Sequence, residues 1–250
     1  MEVAPEYLIG EASIIQTPLG LSKIGDLGLK MSLYISNYKG GRNESFMYGV
    51  DINNGNIWYD YDLVSAYTTV LSKAGHPDYG NGVRIAKENL KLMTDDYLLN
   101  SYTIIKCNFV FSDNVKYPSI PMYVDETTTV YPLEGEGAVL TGAEYLLAKS
   151  QGCQFDIEEV YTIPFLKTNE TDLETGSSVL YPFNEIITEI QRKRREHPKG
   201  TISNLMYKEI GNSIYGSVVR GMSDKRKYDN KSGKTVRMRA HFLTNPIIAS

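Results

Sequence analysis

Fourteen lysines and arginines fall between residues 190 and 241 against four acids, a local excess of ten positive charges on a 250-residue chain of net charge −4. The rest of the chain therefore carries a fourteen-charge excess of acids. Such a segment reads either as a solvated helical face or as the contact for a polyanion, because Lys and Arg paired with phosphates release condensed counterions. Its pattern is helical. Residues 183–197 and 201–219 read as two helices joined by His197-Pro198-Lys199-Gly200, a helical hairpin holding most of the basic cluster. Beyond it, the run from Asp229 to Thr235 reads as a turn between two basic strands.

The remainder has to supply the apolar interior, and it reads as mostly β. Residues 101–132 are rich in β-branched and aromatic side chains and punctuated by prolines, as several antiparallel strands would be. Thr141–Gly152 reads as a helix with Thr141 as N-cap and Glu144 at its third position, followed by a strand over Ile157–Phe165. Residues 33–58 give short β-prone stretches broken by Gly40-Gly41 and by the hairpin signal Asn53-Asn54-Gly55. A strand then gives way to a helix in which Leu63, Tyr67, Val70 and Leu71 recur at helical spacing, so Asp62 sits at a strand-to-helix junction. The first 30 residues show no sustained period. The fold class expected is α+β, an antiparallel sheet with packed helices plus the two-helix hairpin.

With 42% hydrophobic and 22% charged residues, collagen, coiled coil and disorder are excluded. Cys107 and Cys153 have no CxxC context and no histidine at ligand spacing, which supports neither a disulfide framework nor a zinc site. His76, His197 and His241 are scattered, and no GxSxG, HExxH or Walker loop is present. No apolar run approaches the roughly 20 residues that span a bilayer. Glu2, Glu6 and Glu11 stand where a signal peptide would be basic and then apolar, so no membrane partner and an intracellular location are expected.

Metal-assisted phosphoryl transfer needs carboxylates on rigid backbone, a cationic clamp and a surface that holds a polyanionic strand. Asp62 is the best-placed carboxylate, although a single aspartate before a helix also reads as an N-cap. Lys208, Asn212 and Tyr215 are spaced to share one helix face. Such a face suits triphosphate, base and sugar, and a solvated face accounts for the same spacing.

The run Lys208-Glu209-Ile210-Gly211-Asn212-Ser213-Ile214-Tyr215-Gly216 resembles motif B of the family B DNA polymerases, KxxxNSxYG, at every fixed position. Asp62-Leu63-Val64-Ser65-Ala66-Tyr67-Thr68 resembles motif A, DxxSLYP, with Ala66 and Thr68 replacing the leucine and proline. Tyr38-Lys39-Gly40-Gly41 resembles the YxGG element that precedes motif A and points to the protein-primed branch. By this resemblance, residues 1–32 are a connector from an exonuclease domain lying upstream. Residues 33–180 are palm, with a protein-primed-type insertion at about 125–180, residues 181–221 are the fingers hairpin, and residues 222–250 return to the palm and stop before motif C. The second metal-binding aspartate, in a YxDTDS motif, is expected some tens of residues beyond Ser250.

The resemblance implies template-directed nucleotidyl transfer from dNTP to a DNA or protein-primer hydroxyl, with two magnesium ions. Asp62 and Lys208 would be catalytic. Asp62 and the Leu63 carbonyl would ligate metal. Tyr67, Lys208, Asn212 and Tyr215 would bind nucleotide, Tyr67 lying under the sugar and excluding a 2′-hydroxyl. Tyr38, Gly40, Gly41, Ser65 and Gly216 would lie along the DNA. Arg192, Arg194, Arg195 and Lys199 are further candidates for the triphosphate. Partners implied are primer-template DNA, dNTP and a terminal priming protein, with the host cytoplasm or, for a linear plasmid, the mitochondrion as compartment. In the insertion, Glu134, Glu136, Glu158, Glu159, Glu170, Asp172 and Glu174 fit a protein contact better than a phosphate contact, and a solvated surface accounts for them more readily than either. The alternative is a catalytically incomplete module that binds nucleic acid, nucleotide or terminal protein. On its own the 250-residue chain is expected to be inactive.

Overall fold

In the computed structural model, which describes residues 14–17, 20–23, 33–35, 37–38, 42, 44–45, 49, 57–85, 87–125, 128–168, 178–220, 226–237 and 245–249, the chain opens with an antiparallel ribbon of β1 (Ile14–Thr17) and β2 (Gly20–Lys23). Residues 33–35 and 37 are helical where short strands were expected. Tertiary burial decides there, since Tyr34 is buried and its hydroxyl donates to the Tyr102 carbonyl at 2.8 Å. The Asn53-Asn54-Gly55 turn lies outside the described residues.

Residues 57–63 carry no regular structure, and α1 (Ala66–Ser72) begins three residues later than the spacing suggested. Of the expected apolar stripe only Leu71 is buried, while Tyr67 and Val70 are exposed and Leu63 precedes the helix. After a 3-10 turn at Tyr79–Asn81 come β3 (Val83–Ile85), a second 3-10 stretch at Lys87–Leu92, and α2 (Asp95–Leu99). The long β-branched run then forms β4 (Ser101–Val110), followed by the two-residue strands β5 (Met122–Tyr123) and β6 (Thr129–Val130). β7 (Glu134–Thr141) leads into α3 (Gly142–Ser150), and β8 (Gln154–Pro164) follows. α3 is capped as expected: Thr141 Oγ1 accepts the Glu144 N–H at 3.3 Å, and a Glu144 carboxylate oxygen accepts the Thr141 N–H at 2.7 Å.

One four-stranded antiparallel sheet, in the order β3-β8-β4-β7, makes the fold mixed α+β. β4 lies inside this sheet and both its faces are covered, which is why it is buried almost continuously. On one face Ile105, Cys107 and Phe109 pack with Leu140, Ala148 and Val160. On the other, Ile104 packs with Tyr34, Tyr79, Tyr161, Ile163 and Ile247. Both cysteines are free and buried, and burial pushes the Cys107 thiol up to about 12, leaving it inert as a nucleophile.

The expected helical hairpin is present as α4 (Asn184–Arg195) and α5 (Ile202–Val219), followed by the ribbon β9 (Arg226–Asp229) and β10 (Lys234–Arg237) and by α6 (Pro246–Ala249). A third core of Leu71, Ile187 and Val218 holds α1, α4 and α5 together. No helix among the described residues is long and apolar enough to cross a membrane.

His76, just past α1, is 6% exposed, with its Nδ1–H donating to the Pro77 carbonyl at 2.9 Å. Burial lowers its pKa below the usual histidine value. The unfolded chain therefore takes up that proton first, so the contribution of neutral His76 is complete above pH 6.5 and is lost as pH falls. Melting curves from pH 7 to pH 5 are expected to show a falling Tm that flattens in His76→Gln.

Candidate functional site

The site is built around the turn that starts α1. Ser65 has φ 56 and ψ 35, and no other described non-glycine residue has positive φ. That left-handed backbone costs about 1 kcal/mol for an L side chain. It is held from both sides: the Ser65 carbonyl accepts the Thr69 N–H at 2.9 Å and the Thr68 hydroxyl at 3.0 Å. Ser65 Oγ accepts from Arg194 Nη1 of α4 at 3.1 Å. The turn leaves Asp62, Leu63 and Val64 outside the helix and exposed.

α5 approaches α1 closely because residue 211 is glycine. A Cβ built at Gly211 would lie 3.2 Å from Thr68 Cγ2. Lys208 and Asn212 thereby share a narrow crevice with Ser65 and Arg194. Beside it opens a cavity of about 420 Å³, lined by Ser65, Arg194, Arg195, His197, Lys199 and Asn204.

The cationic side chains of α4 divide by helix face. Arg192 bonds Glu189 at 2.7 Å and also Glu196, and Lys193 reaches Glu189 at 3.5 Å. The Arg192 guanidinium holds the Glu189 carboxyl down at about 2. Arg194, Arg195 and Lys199 line the cavity instead and make no ion pair among the described residues. Asn204, 7% exposed, fixes the hairpin turn by donating from Nδ2 to the carbonyls of Arg194 and His197, both at 3.0 Å. The Arg194 carbonyl also accepts the His197 N–H at 3.3 Å, so the Asn204 side chain reinforces the turn in which α4 ends.

Three tyrosines join the remaining elements. Tyr67 of α1 stacks on Tyr215 of α5 with ring centroids 4.7 Å apart and planes 28° apart. Burial, then the neighbouring and hydrogen-bonded Tyr38, pushes the Tyr215 hydroxyl up to about 12. The structure thus brings Tyr38, Ser65, Tyr67, Lys208, Asn212 and Tyr215 together, with Asp62 and Leu63 on the exposed segment leading in. Gly216 is exposed and faces open space. Gly40 and Gly41 lie outside the described residues. Sequence reasoning missed the roles of Arg194 and Asn204 in fixing the turn.

Among the described residues no group of three or more His, Cys, Asp or Glu could hold a metal ion. One exposed carboxylate with a backbone carbonyl beside it and cations nearby does suit magnesium carried in on a phosphate, since that ion is usually held through one or two carboxylates plus substrate oxygens. Of the acids in the expected insertion, Glu158 pairs with Lys106 at 2.8 Å and Glu159 with Arg84 at 3.4 Å. Glu134 and Glu136 border a cavity of about 660 Å³ at the Val110 end of β4. Glu170, Asp172 and Glu174 lie outside the described residues.

The chain is 35% identical over 216 residues to the primer-independent DNA polymerase PolB of Escherichia coli, a match covering 86% of this chain and 24% of the relative. Over most of its length the chain is similar to a stretch of a DNA polymerase. It spans about a quarter of that relative's length. No family model matches. Two solved structures of phi29 DNA polymerase, an orthorhombic crystal form and a complex with primer-template DNA, align with TM-scores of 0.43 and 0.44 at 13% and 14% identity. They cover 74% and 75% of this chain and 32% and 31% of theirs. Scores in that range leave the fold to rest on the chain's own topology.

Proposed function

We propose that the chain is the palm and fingers portion of a template-directed DNA polymerase, transferring a nucleotide from dNTP to a primer hydroxyl. One observation carries this reading: the turn that follows Asp62 and the Lys208–Gly216 helix, far apart in sequence, meet at a crevice shared by Ser65, Thr68, Lys208 and Asn212, beside a cavity whose cations Arg194, Arg195 and Lys199 have no carboxylate partner among the described residues. Similarity to a DNA polymerase over 86% of the chain supports it. On this reading residues 33–180 are palm, with the insertion at about 125–180. Residues 181–221 are fingers, residues 222–250 return to the palm, and residues 1–32 connect to an upstream exonuclease domain.

Asp62 and the Leu63 carbonyl would hold magnesium, which supplies charge neutralisation on the phosphates and activation of the attacking hydroxyl. Lys208 faces the triphosphate, Asn212 and Tyr215 shape the base-pair pocket, and Tyr67 supports the sugar. Tyr38, Gly40, Gly41, Ser65 and Gly216 line the DNA path. Carboxylates from sequence beyond this chain complete the metal set. The relative is primer-independent by name, which supports unprimed initiation as an alternative to initiation on a terminal protein, and a template offered without primer separates them.

The test is nucleotide incorporation on primer-template DNA with magnesium by the full-length protein. Incorporation is expected. A protein that binds DNA yet incorporates nothing overturns the reading in favour of a binding module. The division of α4 gives a sharper expectation. Arg195→Ala is expected to raise the dNTP KM by roughly tenfold, the scale of one lost charge-assisted contact. Arg192→Ala, whose guanidinium is engaged by two glutamates, is expected to stay within about twofold. Steady-state kinetics at fixed DNA reads both.

A further inference from the structure

Lys208 sits ten residues before Val218 on α5, which is about 15 Å along the helix axis. A tilt of about 10° around the Val218 end moves Lys208 by roughly 2.6 Å at that lever length. Whatever holds the Val218 end therefore sets where Lys208 points.

Val218 packs with Leu71 and Ile187, and Asn245 ties this end of α5 to the sheet by hydrogen bonds. The Asn245 N–H donates to the Val218 carbonyl at 3.0 Å, in the last turn of α5 where carbonyls lack intrahelical partners. Its Nδ2 donates to the Tyr79 hydroxyl at 2.7 Å. Its Oδ1 accepts the N–H groups of Ile247 and Ile248 at 3.1 and 3.3 Å, capping α6. The N–H, Nδ2 and Oδ1 of Asn245 thus go to three different elements, and its carbonyl accepts the Ala249 N–H of α6 at 3.0 Å. Tyr79 is a firm anchor: it is 7% exposed, packs on the sheet with Ile104, Tyr161 and Ile163, and the adjoining Asp78 N–H donates to the Pro164 carbonyl of β8 at 2.9 Å. Ile247 belongs to the same cluster, so α6 is fixed to the sheet as well.

Asn204 bonds the first turn of α5 to the end of α4 and Tyr215 is hydrogen-bonded to Tyr38, while beside Lys208 the helix rests on Thr68 and Ile190 at Gly211 by packing alone. Packing of that kind limits approach but leaves sliding and tilt open. The hydrogen-bonded restraint to the sheet at the C-terminal end comes from Asn245.

We propose that Asn245 is a positioning residue, a pivot that fixes the C-terminal end of α5 to the sheet through Tyr79 and so sets the distance of Lys208 from Asp62. Its effect on nucleotide use rests on the polymerase reading; its effect on the orientation of α5 does not. The deciding substitution is Tyr79→Phe, which keeps the buried ring and removes the acceptor, with Asn245→Ala as the second variant.

Spin labels at Ile202→Cys, in the exposed first turn of α5, and at Glu136→Cys, exposed on β7, report the orientation of the hairpin by dipolar distance measurement. The native cysteines are buried and leave the added pair to react. The parent protein is expected to give one narrow distribution, and each variant a distribution broadened or shifted by at least about 3 Å, the scale of the tilt estimate. In the full-length protein Tyr79→Phe is expected to raise the dNTP KM about fivefold to tenfold with kcat within about twofold, the signature of a displaced binding group. Unchanged distances in both variants overturn the pivot, and so do broadened distances with an unchanged KM. If the full-length parent incorporates no nucleotide while the variants broaden the distances, the polymerase reading fails and the anchoring of α5 stands.

Discussion

Asp62→Asn in the full-length protein is expected to lower magnesium-dependent nucleotide incorporation by at least about a thousandfold, or ~4 kcal/mol of transition-state stabilisation. The substitution keeps the shape of the side chain and removes the charge that a hard cation requires. Two features make the result interpretable. Asp62 is exposed on an irregular segment and makes no hydrogen bond or ion pair among the described residues, so the melting temperature of the 250-residue chain is expected to move by less than about 1 °C. The neighbouring Asp60 is exposed on the same segment, and Asp60→Asn is the matched control, expected to retain activity within about threefold. Equal losses in both would mean that the acidic character of the segment matters and not one metal-binding carboxylate. Retained incorporation in Asp62→Asn would remove this residue from the chemistry and with it the central assignment at the site.

The hairpin and the sheet were legible because their signals are local and periodic. The Thr141 to Glu144 cap, the β-branched run of β4 and the two basic helices each follow from a few neighbouring residues. The α1 turn was not legible in the same way. Leu63 carries the apolar identity of a helical stripe yet stands 80% exposed, because the left-handed Ser65 restarts the chain direction and that conformation depends on Arg194, distant in sequence. The exposed run Ile57, Trp58, Tyr59, Tyr61, Leu63 and Val64 has no covering partner among the described residues, so its composition spoke for a strand that local structure alone does not form. For the cations of α4 the information was present but unused. Glu189, Arg192, Lys193 and Glu196 recur at helical spacing on one face, while Ile187, Ile190, Gln191 and Arg194 share the opposite one. Sorting four consecutive basic residues by that period separates those engaged by glutamates from those that reach the cavity.

Lys208→Ala is expected to lower kcat/KM for dNTP by about a hundredfold to a thousandfold, the usual scale for removing one electrostatic stabiliser of a transition state. Lys208 lies on an exposed helix face, has no carboxylate partner among the described residues, and shares a crevice with Ser65 and Arg194. An ammonium there has little to do for the fold, so stability is expected to change by less than about 0.5 kcal/mol. The competing account is a solvated face, and it differs in its forecast for nucleotide incorporation. A merely solvated lysine leaves incorporation within about twofold. A lysine that serves only the DNA backbone weakens primer-template binding and reduces its salt dependence by about one counterion, with the dNTP KM unaffected. A lysine on the triphosphate leaves DNA affinity within about threefold and moves the nucleotide parameters alone. Lys208→Arg then discriminates charge from shape: it keeps the cation, but its planar fork differs from a compact ammonium, so recovery of about a tenth of parent activity is expected, and not all of it. Full recovery by arginine would place the demand on charge only and would loosen the assignment of Lys208 to a defined position against the leaving phosphates.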